Sequence, residues 1–202
     1  MGATTTVDPP SASPTVEPLD AAAAAIAARL GRITVEVRGR GRGGADGGAV
    51  GSGVIWHPDG LILTNAHVAR GDVLVVLADR QRLRARLVAR DPDRDLAALV
   101  VDATDLPAAQ LADSSALRVG ELVLAVGNPL GLVRALSAGL VHAVGPRYIH
   151  ADLRLAPGNS GGPLADACGR VVGLNAMIVG GLAVAVPSRE AQRFVREQSR
   201  RG

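Results

Sequence analysis

Apolar and polar residues alternate over short stretches through most of this chain, and Gly, Pro and Asp interrupt them at close intervals. Ile33-Thr34-Val35-Glu36-Val37 alternates as a strand, and from Ala49 onward similar short runs recur. Period-two alternation with frequent turn signals predicts an all-β fold. The two ends differ. Met1 to Pro18 is rich in Pro, Thr, Ser and Ala, so residues 1–19 read as a disordered arm and 20–202 as the folded domain. Asp20 is placed to cap a short alanine-rich helix reaching about Leu30, with Gly31 ending it. Gly39 to Gly48 reads as a flexible loop rich in glycine and arginine. Pro187-Ser188 opens a final helix over about 188–200, with Ala191, Phe194 and Val195 as its buried stripe.

One turn stands out from this background. Gly158-Asn159-Ser160-Gly161-Gly162-Pro163-Leu164 sets a serine among glycines. A serine hydroxyl attacks poorly unless a base takes its proton and donors stabilise the oxyanion that forms. Flanking glycines let the backbone bend sharply and aim N–H groups at a reacting carbonyl. The turn also fits the G-x-S-x-G elbow of α/β-hydrolases, which requires a histidine after the serine. All four histidines, His57, His67, His142 and His150, precede Ser160, which excludes that reading. The remaining order is His67, Asp95, Ser160. His67 ends the apolar run Leu61-Ile62-Leu63 in a polar turn, and Asp95 stands at the mouth of the apolar run Leu96 to Val101. A carboxylate so placed can fix the tautomer of an imidazole. His57, in His57-Pro58-Asp59-Gly60, reads as a turn residue.

The chain resembles trypsin-like serine proteases of the HtrA (Deg) type. The likeness is carried by Gly51-Ser52-Gly53-Val54-Ile55, Pro58 to Val68, Asp91 to Leu99, Val119-Gly120-Glu121, Ala125 to Leu132, Ser137 to Val141, Asp152 to Leu164 and Ala183 to Ser188. The resemblance implies two six-stranded β-barrels, about 33–112 and 113–186, with His67 and Asp95 from the first and Ser160 from the second. It implies an endopeptidase acting through an acyl-enzyme, with no metal or organic cofactor. The backbone N–H groups of Gly158, Asn159 and Ser160 would bind the oxyanion. Leu182, Ala183 and Val184 resemble the strand that pairs with an extended substrate. Unfolded or extended polypeptides are then the expected partners, and a silent peptide-binding or chaperone-like module with the same fold is the alternative. Family members often trimerise through N-terminal segments, frequently by aromatic contacts, and this arm has no aromatics. No peptide-binding PDZ domain of the kind common in relatives is expected after the last helix.

Three departures from the family pattern concern specificity. Arg154, six residues before the serine, falls where such folds place the floor of the primary pocket and where a small residue is usual. It could attract an acidic side chain, turn out of the pocket, or pair with Asp152. Ala156 replaces the usual asparagine. The segments 144–152 and 176–182 are also short for the family.

Composition adds limits. All 22 basic residues are arginine and the formal net charge is +3. Arg80, Arg82, Arg84 and Arg86 alternate with aliphatics, which reads as a solvated strand face; without aromatic interleaving no nucleic-acid partner is expected. The single cysteine, Cys168, allows no internal disulfide and reads as a small buried residue. The first twenty residues carry no basic residue, so the alanine run is not read as a signal peptide, and no run is long enough to span a bilayer. A cytoplasmic location is the resulting expectation.

Overall fold

In the computed structural model the described residues are 16–39, 50–128 and 135–200. Most of the N-terminal arm and of the arginine-glycine loop expected at 39–48 lies outside them. Twelve strands form two closed antiparallel barrels. The first takes β1 (Thr34–Gly39), β2 (Val50–His57), β3 (Leu61–Thr64), β4 (Val73–Val76), β5 (Arg82–Asp91) and β6 (Leu96–Val101), in the order β1-β2-β3-β6-β5-β4. The second takes β7 (Leu122–Gly127), β8 (Ala135–Val144), β9 (Ile149–Asp152), β10 (Pro163–Asp166), β11 (Val171–Val179) and β12 (Leu182–Pro187), in the order β10-β11-β12-β9-β8-β7. Helix α1 (Val16–Ile33) precedes the first barrel and α2 (Ser188–Ser199) follows the second.

Alternation along each strand divides the apolar residues between separate cores. Val35, Val37, Ile55, Ile62 and Leu99 fill the first barrel, and Val123, Ala125, Ile149, Leu164 and Ala185 fill the second. The opposite faces of the same strands supply Val54, Leu63, Leu124, Val126 and Leu174 to a third core, which Leu30 of α1 and Phe194 of α2 complete. That shared core joins the barrels. Phe194 is the only phenylalanine and is wholly buried in it. Its replacement by alanine should destabilise the protein by about 3–5 kcal/mol. A thermal melt should show a drop on the order of 10 °C for a domain of this size; an unchanged melting temperature would mean that α2 contributes little to the junction.

On β5, Arg82, Arg84 and Arg86 face outward while Leu83 and Ala85 pack against the first core. A bulge between Leu87 and Ala89 breaks the register with β6 and leaves Leu87 and Val88 exposed. Two readings of local structure are corrected. Helix α1 begins before Asp20 and continues through Gly31, so neither residue bounds it. Pro18 falls in its first turn, where the missing N–H has no intrahelical partner to lose. Cys168 is exposed rather than buried, because it sits in the turn between β10 and β11.

Candidate active site

His67 and Asp95 come from adjacent turns at one end of the first barrel, following β3 and preceding β6. The Asp95 turn is built locally. Asp91 Oδ1 accepts from the backbone N–H groups of Asp93 and Arg94, an Asx-type turn, and Asp95 N–H donates to the Pro92 carbonyl. Asp95 itself holds the left-handed conformation (φ 53°), which aspartate tolerates better than most residues. The two turns are then stitched together. Asn65 Nδ2 donates to the Asp95 carbonyl at 3.0 Å, and Arg90 Nε donates to the Ala66 carbonyl at 3.0 Å.

The Asp95 carboxylate meets the histidine at two atoms. Oδ1 accepts from the His67 backbone N–H at 3.1 Å, and Nδ1 lies 2.8 Å from Oδ2 and 3.0 Å from Oδ1. The carboxylate side chain is 14% exposed and the imidazole 42%. Asp95 is thus shielded while the ring opens to solvent. An acceptor at Nδ1 keeps the proton there, which leaves Nε2 with its lone pair and without a hydrogen-bond partner among the described residues.

Ser160 lies in the turn before β10 and is held against the first barrel. Its carbonyl accepts from Ser52 N–H at 2.8 Å. Ser52 Oγ donates to the Gly158 carbonyl at 2.7 Å, and Thr64 Oγ1 donates to the Ser52 carbonyl at 2.6 Å. Gly161, at φ 86°, packs so closely on Ser52 and Thr64 that a Cβ would collide with both. The same added atom would stand 3.2 Å from the Asn65 backbone nitrogen, two residues before His67. Ser52 and Thr64 were not singled out as site residues in the sequence. The serine set between two glycines, Gly51-Ser52-Gly53, is the signal that could have found the first of them.

The Ser160 hydroxyl donates to the Ala176 carbonyl at 2.9 Å, and no hydrogen bond joins it to His67. The segments carrying the two residues are brought together, but the hydrogen bond between their side chains is not formed. Such bonds are often long or absent without substrate and tighten in the complex.

The three amides proposed for an oxyanion are not equivalent. Asn159 N–H donates to the Ala156 carbonyl at 3.0 Å, closing the turn Ala156-Pro157-Gly158-Asn159, so it is not free for a ligand. Gly158 holds φ 106° in that turn, and the N–H groups of Gly158 and Ser160 have no partner among the described residues. Two unpaired N–H groups flanking one residue form a donor pair suited to an anion.

The expected substrate strand is also corrected. β12 lies between β11 and β9, where Ala183 pairs with Ile178 on one side and with Ala151 on the other. With Val184 paired likewise and Leu182 closing the hairpin, this strand has no edge to offer a peptide. The open edge belongs to β11. β10 pairs with Val171 to Leu174, whereas among the described residues Met177, Ile178 and Val179 pair only with β12 and are 40%, 52% and 54% exposed. This edge continues directly from Ala176, which touches Ser160. Arg154 lines a cleft of about 640 Å³ between the segment 152–155 and this edge.

Two long-range ties reach the Asp95 turn. Arg94, beside Asp95, pairs with Glu197 of α2 at 2.7 Å, and Arg147 donates to the Asp93 carbonyl at 3.1 Å. The Arg94 hydrogen bond, with Arg193 assisting, holds the Glu197 carboxyl below its ordinary pKa. A lowered folded-state value makes this tie complete above the ordinary carboxylate range, and it weakens as acid protonates Glu197. Among the described residues no cluster of His, Cys, Asp and Glu is arranged to hold a metal ion.

The trypsin-like peptidase domain model matches residues 51–174. The chain belongs to the trypsin-like peptidase family. This peptidase domain is 43% identical over 155 residues to a probable periplasmic serine endoprotease, DegP-like, of Pseudomonas savastanoi pv. phaseolicola, covering 69% of the chain and 32% of that relative. It is 44% identical over 149 residues to the protein of the same description from Hahella chejuensis, with the same coverage. The chain thus spans about a third of the length of these relatives. Among solved structures it is similar to the serine endoprotease from Yersinia pestis, with TM-score 0.80 and 31% identity over 87% of this chain and 65% of that one. It is also similar to the HtrA-type protease AlgW with a tripeptide, with TM-score 0.79 and 32% identity over 86% and 62% of the two chains. The relatives described as periplasmic overturn the expectation of a cytoplasmic location. That expectation rested on the absence of basic residues from the first twenty and of a bilayer-long apolar run, and neither reports where a protease domain works. Among the described residues no helix is long and apolar enough to cross a membrane.

Proposed function

We propose that the peptidase domain hydrolyses peptide bonds in extended or unfolded polypeptides, in the periplasm as its relatives' descriptions say of them. Ser160 Oγ attacks the carbonyl, His67 Nε2 takes its proton and later returns it to the leaving amine, and Asp95 stabilises the imidazolium between those steps. The acyl-enzyme is then released by water through the same base. Gly158 and Ser160 N–H receive the oxyanion. The peptide adds a strand to the open edge at Met177 to Val179, and main-chain pairing of this kind reads little sequence. AlgW, the relative solved with a tripeptide, supports a peptide ligand. The observation that carries the reading is the two-point grip of Asp95 on His67, through the backbone N–H and Nδ1 together. It fixes the one tautomer able to act as base toward Ser160.

A second reading has one observation in its favour. The Ser160 hydroxyl is donated to Ala176 rather than to His67, as in a cleft that binds peptides without cutting them. A fluorophosphonate probe separates the two, because it reacts only with an activated serine. The expected outcome is stoichiometric labelling at Ser160 together with hydrolysis of casein. Casein binding without label would leave the silent module standing instead.

A further inference from the structure

We propose that Arg154 makes the cleft between the segment 152–155 and the β11 edge a pocket for an acidic side chain, so that cleavage follows glutamate or aspartate; this rests on the proteolytic reading above. The cleft has two walls. One is the segment from the end of β9 toward Ser160, with Leu153, Arg154 and Leu155, and the other is the open edge of β11 at Ile178. A peptide laid along that edge with its carbonyl at Ser160 directs the preceding side chain between these walls. Ala138, Leu155 and Ile178 offer apolar surface to a methylene stem, and Arg154 offers the charge beyond it.

The guanidinium is free to serve a ligand. Other arginines of the domain are engaged: Arg94 with Glu197, Arg147 with the Asp93 carbonyl, and Arg189 with the Gly145 and Pro146 carbonyls. Arg154 makes no hydrogen bond or ion pair with any described residue, and it is exposed. Asp152 lines the same cleft and could have neutralised it. Leu153 is buried between them, so both side chains emerge on the exposed side of an extended segment, yet no ion pair joins them within 4.0 Å. The cleft therefore carries one open cation and one open anion. Arginine is favoured as the reader because its planar fork binds a carboxylate through two parallel hydrogen bonds, whereas a lysine would meet Asp152 only as a point charge.

The test uses the whole chain and matched peptides differing only in the residue before the scissile bond: Glu, Gln, Val or Lys. Glu should exceed Gln in kcat/KM by about tenfold or more, the range of a charge-assisted hydrogen bond over a neutral one. In Arg154→Ala the Glu-to-Gln ratio should fall to near one, in Arg154→Lys part of it should persist, and in Arg154→Glu the order of Glu and Lys should invert. Ratios within one variant are insensitive to a general loss of folded protein. Equal cleavage after Val and Glu overturns the proposal, and a preference for Lys overturns it by assigning the cleft to Asp152. Absence of both cleavage and fluorophosphonate labelling overturns the proteolytic reading and this inference with it; labelling and cleavage without an acidic preference overturn this inference alone.

Discussion

Replacing Ser160 by alanine should abolish hydrolysis of a denatured protein such as casein, by about 10⁶-fold in kcat on the scale of other serine hydrolases. The fold should be untouched. The side chain is half-exposed, and its one hydrogen bond is the donation to the Ala176 carbonyl. The turn around it is held by backbone groups, from Ser52 N–H to the Ser160 carbonyl and from Gly161 N–H to the Asn175 carbonyl, which alanine retains. Circular dichroism and the melting temperature should match the parent while casein turnover and probe labelling vanish. Activity surviving in pure Ser160→Ala protein would remove Ser160 as nucleophile.

Asp95→Asn should lower kcat by about 10⁴ with the fold retained. The reason lies in which oxygen serves which donor. The His67 backbone N–H points at Oδ1 and must keep an acceptor there, so the amide oxygen of asparagine takes that place. The amide NH₂ then replaces Oδ2, which stands 2.8 Å from Nδ1. A donor there drives Nδ1 to act as acceptor and shifts the ring proton to Nε2, the atom proposed as the base. The substitution thus sets the wrong tautomer while conserving shape. Steady-state turnover of a peptide substrate reads the effect, and a loss smaller than tenfold would mean that His67 does not depend on this carboxylate.

Local pattern and long-range pairing divide what could be read from the residues. The strand expected from Ile33 to Val37, which the structure shows from Thr34 because Ile33 ends α1, the outward arginines of β5 and the packed stripe of Ala191, Phe194 and Val195 are properties of short windows. Two six-stranded barrels followed from the family resemblance and are present. The polar turns around His67 and Asp95 were equally legible, because each is punctuated within a few residues. The open edge was not. Alternation marks Leu182 to Val184 as a strand but says nothing of its neighbours, and two partners occupy it. Neither was the commitment of Asn159 N–H to Ala156, which depends on Pro157 and Gly158 bending the chain into a closed turn. The grip of Ser52 on Gly158 spans 106 positions and the Arg94–Glu197 tie spans 103, distances over which pattern carries no information. Helix α1 overran Gly31 because packing of Leu30 and Ile33 into the shared core outweighs the poor helix propensity of one glycine.

The hairpin joining β11 to β12 reverses through Gly180 and Gly181 alone, both left-handed (φ 58° and 84°), the geometry that two-residue β-turns require. The far wall of the cleft is therefore tied off with no spare length. A longer connection would have to be frozen each time a ligand arrived, at a cost in entropy for every residue immobilised. This one arrives already set, so under the proposed reading discrimination among ligands would rest on what a pre-formed rim accepts rather than on what a moving flap can be induced to grasp.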